Sequence, residues 1–159
     1  MKKLIFIGVL GLLLVACGGG NAHSESAASS ESEARETLEN GNPTYDPKRG
    51  EGKFKEVAVG KTLDAALAEK GNKVSAVKCS SCHKTTEEKL VGPGWKGVTS
   101  RHSPEWIMNF ITNTDEMLNK DPKAQAQLEI CLVRMPNQNL SDDDARSLFE
   151  FMRKVDGIK

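Results

Sequence analysis

Three kinds of hydrophobic patterning follow one another along the chain. An unbroken apolar run, Leu4 to Val15, comes first, directly behind Lys2 and Lys3. Residues 18 to about 50 then show no apolar periodicity; Gly, Ser, Ala, Glu, Asn and Pro dominate, and such a stretch buries too little to repay its ordering entropy. Within it, Ala27 to Glu39 has helix-forming composition but only Leu38 as a large apolar anchor, so no stable helix is expected. Beyond residue 53 helical spacing takes over. Ser103-Pro104-Glu105 reads as a helix start, with Ser103 as N-cap and Pro104 at the first helical position. Trp106, Ile107, Phe110 and Ile111 continue it as an apolar face. Asp121-Pro122 ends one helix and opens a further turn. A terminal helix, Asp143 to Val155, carries Leu148, Phe151, Met152 and Val155 as one stripe. The expectation is an all-α domain over 53–159, preceded by a flexible linker over 17–52 and a leader over 1–16.

The first run is too short to span a membrane, which takes about 20 apolar residues. Basic residues before a short apolar stretch are the layout of an export signal. The run ends in Leu14-Val15-Ala16-Cys17, which resembles the bacterial lipobox; the resemblance implies cleavage before Cys17 and lipid attachment to its thiol. Acyl chains contribute about 0.8 kcal/mol per buried methylene, enough in multiple copies to hold a soluble domain at a membrane. A linker of thirty-odd residues gives a mean reach of about 30 Å. The expected location is the cell envelope, on a membrane facing the periplasm. Gly18 in place of an acidic residue after Cys17 points to the outer membrane over the inner one.

Charge excludes one class of partner. The 22 basic and 22 acidic residues of the whole chain cancel, and residues 48–159 hold 19 basic against 16 acidic. An excess this small and dispersed gives no clustered basic face for nucleic acid.

The chemistry rests on Cys79-Ser80-Ser81-Cys82-His83. Two thiols two residues apart on a helical turn can form thioethers to the two vinyl groups of a haem, and the next residue places an imidazole under the iron. A thioredoxin-like pair would not need His83, and no βαβ pattern precedes the motif. Zinc would need a second close ligand pair, which His23, His102 and Cys131 do not supply. Exported context and motif agree on one covalent haem c. For the sixth iron ligand the candidate is Met135, before Pro136, because a thioether is a soft ligand that raises the potential. Met108, Met117 and Met152 fall in helical segments, where methionine usually fills core. His102 is a further candidate ligand, although a histidine near a helix start is more often a surface residue. Cys131, four residues before Met135, is either a small buried hydrophobe or an oxidisable thiol beside the cofactor.

From about Gly60 to Val155 these features, in this order, resemble the class I monohaem cytochrome c domain. The resemblance implies a first helix, Leu63 to Lys78, entering the haem motif, with Gly71 allowing close packing near Phe151. It also implies that Pro93, in Val91-Gly92-Pro93-Gly94-Trp95, accepts a hydrogen bond from His83 through its carbonyl, orienting the imidazole and strengthening its basicity. Ser75 departs from the family, which carries a bulky apolar residue there; Val74 and Val77 are the substitutes. The segment Asn113 to Leu132 is longer than in the smallest members. Glu129 to Leu140 is similar to the cytochrome that accompanies nitrous-oxide reductase in some Gram-negative bacteria, which implies a copper reductase as redox partner.

The function expected is that of an electron carrier and not an enzyme, exchanging single electrons with a donor and an acceptor protein while His83 and Met135 fill both axial positions. Lys78, Lys84, Lys89, Lys96 and Arg134 are candidates to steer an acidic partner. The rival is a haem c sensor or peroxidase-like protein with an open iron position, and a further one is a thiol-redox lipoprotein without haem.

Overall fold

The structure, a computed structural model, describes residues 45–159. The leader, Cys17 and the linker up to residue 44 lie outside them. Six helices occur among the described residues: α1 (Ala65–Lys78), α2 (Val98–Arg101), α3 (Pro104–Thr112), α4 (Thr114–Lys120), α5 (Pro122–Cys131) and α6 (Asp142–Val155). None of these helices is long and apolar enough to cross a membrane.

Local chemistry sets most of their ends. Asp64 caps α1 by accepting from the Leu67 N–H, Ser103 caps α3 through Trp106, and Ser141 caps α6 through Asp144. Asp121 caps α5 through the Ala124 N–H, with Pro122 at its first position. The turn expected after Asp121-Pro122 is thus a full helix, and it ends at Leu132 in the left-handed conformation.

Helices α1 and α6 form the broadest helix pair, and α3, α4 and α5 pack in succession beside them. Gly71 makes the α1–α6 crossing possible: a Cβ there would fall inside the carbonyl of Ser147. Phe151 lies in the same core but meets Trp95 edge-on at 6.2 Å. Trp95, Trp106, Ile107, Ile111, Leu148, Phe149 and Met152 make up the centre of the core. Glu150, fully buried on α6, accepts from Arg146, Arg153 and the Asp64 N–H, so its charge is matched and the chain before α1 is pinned to α6.

The packed chain begins earlier than residue 53. Residues 45–52, read from sequence as linker, lie on α3 and α4 and are held by side chains instead of by apolar burial. Buried Asn109 donates to the carbonyls of Arg49 and Phe54 and accepts from the Phe54 N–H. The Glu51 N–H points at Met117 Sδ at 3.0 Å, and Tyr45 donates to Asp121 at 2.6 Å. Polar composition hid this strap, because its partners lie more than 50 residues away.

Candidate haem site

Helix α1 delivers the motif. Its last turn continues into Cys79, whose N–H bonds Ser75 O at 2.9 Å, and the Cys82 and His83 N–H groups both return to the Cys79 carbonyl at 3.0 and 2.9 Å. The tight turn brings Cys79, Cys82 and His83 onto one wall of an apolar cavity of about 260 Å³. Both cysteines are free thiols. Burial pushes the Cys79 thiol up to about 11, opposed by Lys78 and assisted by Cys82, so it stays protonated at neutral pH.

Behind that wall the chain folds back on itself. Val91 and Gly92 both donate to the Cys82 carbonyl, and Trp95 donates to Lys84 O. His83 Nδ1 lies 2.9 Å from the Pro93 carbonyl, a distance that makes Nδ1 the protonated nitrogen and leaves Nε2 with the lone pair. Gly92 lies flat against the imidazole, and a Cβ there would enter the ring. Trp95 covers it from 5.6 Å. Burial holds the His83 pKa below its ordinary value, the Pro93 bond partly offsetting this, and the ring is therefore neutral, as a metal ligand must be.

Met135 lines the same cavity, together with Val98, Ile107, Phe110, Ile111, Leu140 and Leu148. A smaller cavity of about 80 Å³ adjoins it, sharing His83, Pro93 and Met135 and reaching Leu118, Leu128 and Cys131. Cys131 is thus half-buried at the end of α5, and no cysteine among the described residues meets it. Of the other candidates, Met108 and Met117 are core residues away from both cavities, and Met152 is a core residue at the cavity wall. His102 lines the larger cavity, but it stacks on Trp106 at 3.9 Å and pairs with Gln127 at 3.2 Å. Val77 stands at the cavity rim, while Ser75 is buried at the α1–α6 side.

The residues fit a haem. The seat under His83 admits no side chain, two free thiols flank it, and a methionine is brought into the same cavity. Lys78 and Arg101 are the charged residues that line the larger cavity and no carboxylate does, which suits a flat apolar group with acidic edges.

An all-helical domain that closes Cys-X-X-Cys-His over an apolar cavity is a c-type haem protein. The chain belongs to the cytochrome c family, whose profile matches residues 68–156. Its cofactor is therefore covalently attached haem c, and its chemistry is haem-based electron transfer. The chain is similar to the cytochrome c of Rhodothermus marinus, at 32% identity and a TM-score of 0.64, over 66% of this chain and 90% of that one. It is also similar to an engineered form of that protein, at 31% identity and a TM-score of 0.63 over the same shares. A third structure, at 31% identity and a TM-score of 0.60, is the engineered protein bound to a carbene intermediate. No curated protein matches the chain.

Proposed function

We propose that this chain is a lipid-anchored, one-electron carrier working on the periplasmic side of a bacterial membrane. Cys79 and Cys82 would hold the haem by thioethers, and His83 and Met135 would ligate its iron. The haem supplies a ferrous–ferric couple; the protein's own residues set when and with whom it exchanges electrons. Pro93 fixes the imidazole and enriches its lone pair. Met135 would offer the iron a soft sulfur, a ligand type that raises the potential. The observation that carries this reading is the convergence of His83, bonded to Pro93, and Met135 on one cavity.

Beside the smaller adjoining cavity, which Val91 and Val133 line, an apolar surface supports a docking face. Ile130, Leu132 and Val133 are 68%, 84% and 54% exposed, and Leu90 and Val91 stand nearby, Lys89 Nζ reaching the Ile130 carbonyl. Of the five cations considered for steering, Lys84 is paired with Glu88 and Arg134 with Asp115, while Lys96 binds the Val155 carbonyl at the end of α6. Lys78, Lys89 and Lys96 thus bind only carbonyls and keep their charge for a partner. The partner proposed is a redox protein with an apolar, acid-rimmed face, a copper-containing nitrous-oxide reductase being the specific candidate that residues 129–140 suggest. Cys17 provides the anchor, the outer membrane being its proposed site.

The test is the mature protein from a host competent in cytochrome maturation. Its mass should include one porphyrin and an acylated Cys17, and its ferric spectrum should carry the long-wavelength band of thioether ligation. Protein without porphyrin on Cys79 and Cys82 overturns the reading. An unchanged spectrum in Met135→Ala removes that residue as ligand, and an intact carrier that does not reduce the copper enzyme removes that partner.

A further inference from the structure

The cavity has a third kind of wall residue that carrier chemistry does not use. Trp106 lines it at 3% exposure, sandwiched between His102 at 3.9 Å and Phe110 at 5.1 Å. Its indole N–H donates to Asp121 Oδ2 at 3.0 Å, and the same oxygen accepts the Tyr45 hydroxyl at 2.6 Å. Asp121 is fully buried and makes no ion pair among the described residues. Capping α5 occupies only its other oxygen, Oδ1, at 2.8 Å from the Ala124 N–H. A buried carboxylate without a cation is costly. Here it joins the two side-chain types that give up an electron most readily.

We propose that Trp106, Asp121 and Tyr45 form a second electron route, from the cavity to half-buried Tyr45, which draws oxidising equivalents away from the haem when a peroxide attacks it. This rests on the haem reading above. One hydrogen peroxide is reduced to two waters by two electrons and two solvent protons. A ferrous haem, when bound, would supply the first of these electrons. Trp106 passes on the second, and Tyr45 replaces it. As Tyr45 loses its electron, its phenolic proton crosses the short bond to the Asp121 carboxylate, leaving a neutral tyrosyl radical beside a carboxylic acid. A small-molecule reductant such as ascorbate then returns an electron to Tyr45, and Asp121 returns the proton. Burial, then the bond to Asp121, raise the Tyr45 pKa well above that of a free phenol, so the hydroxyl is present as a donor throughout the physiological range.

Tyr45 is the single tyrosine of the chain, so any tyrosyl signal belongs to it. Haem attachment is first established by mass, which separates failure of the haem reading from failure of the route. Reduced holoprotein is then mixed with one equivalent of hydrogen peroxide and a spin trap, and the adducts are mapped by peptide mass. The expected result is a tyrosyl resonance, an adduct on Tyr45, and bleaching of the haem that is several-fold faster in Tyr45→Phe. Asp121→Asn keeps a cap of similar size but accepts no proton, and should lower the Tyr45 adduct several-fold; if that variant does not fold, Tyr45→Phe decides alone. Adducts that fall elsewhere in the wild type, or bleaching indifferent to Tyr45→Phe, overturn the proposal. A merely structural Tyr45 would change stability in these variants without placing a radical on it.

Discussion

The two walls of the cavity are held in different ways. On the His83 side the backbone does the holding: residues 79–96 bond back to one another through the carbonyls of Cys79, Cys82, Lys84 and Thr86, and Gly92 and Pro93 fix the imidazole. On the Met135 side, residues 133–140 make no backbone–backbone hydrogen bond among the described residues. They hang between Leu132 and Asn139, both at positive φ, a conformation costing a non-glycine residue roughly 1 kcal/mol. Side chains hold them instead. Arg134 reaches Asp115 and Asn119, and Lys78 reaches the Gln138 carbonyl. One wall is thus built to keep its ligand orientation, while the other opens at a modest cost.

The largest effect should come from removing the proposed ligand on the weakly held wall. Met135→Ala should abolish the thioether band and shift the reduction potential by an appreciable part of the ~0.8 V that axial ligation commands. The protein should nonetheless retain its haem, because the His83 wall is independent. Loss of covalent haem from this variant would show that the two walls are not separable. A smaller effect is expected from Gly92→Ala, which strikes the rigid wall. The new Cβ would enter the His83 ring, and overpacking of this kind costs typically 1–3 kcal/mol. Urea denaturation of the holoprotein should register that cost; a neutral result would mean the backbone of residues 90–95 yields as easily as the Met135 segment.

Smaller still is the expected consequence of Arg134→Ala. Its ion pair to Asp115 is exposed on both sides and worth about 0–1 kcal/mol. Global stability should hardly change, but added imidazole should displace Met135 at a several-fold lower concentration, read by titration of the ferric spectrum. Equal imidazole affinity in the two proteins would place the restraint on Met135 somewhere other than Arg134.

The same contrast explains what could be read from the chain before folding. The motif Cys79 to His83, the cap Ser103 and the terminal stripe are encoded within one or two turns of sequence, and the structure has them where spacing puts them. Pro93 also belongs to this local group, since its carbonyl reaches His83 over ten residues. The strap over 45–57 and the clamps on Met135 are not local. Lys78 meets Gln138 across 60 residues, and Asn109 holds Phe54 across 55, through polar groups that leave no periodicity. Leu132 and Asn139 at positive φ carry no glycine to announce them. Composition therefore marked residues 45–52 as linker, where long-range bonds hold them, and five cations as equivalent, where the ion pairs of Lys84 and Arg134 distinguish them.

The subtlest consequence concerns two histidines that both line the cavity and are both held neutral. The proposed iron ligation would remove His83 from titration, so acid should act on the other. Burial, then Lys123 and Arg101, lower the His102 pKa to about 4, against the weaker upward pull of Asp121. Its ring stacks on Trp106 and meets Gln127, which tie it to the Met135 side of the cavity through α5. The unfolded chain takes up a proton at the ordinary histidine value of about 6.5. With the folded value depressed, the stability that neutral His102 contributes is fully present above about 6.5 and drains away as pH falls toward 4. His102→Gln should remove one proton's worth of slope from the stability of the holoprotein across that window. It should also leave the His83 wall untouched, as judged by an unchanged ferrous spectrum. If the slope persists in the variant, the proton taken up on acid unfolding belongs to another group, and the acid sensitivity of this domain is not a property of its weaker wall.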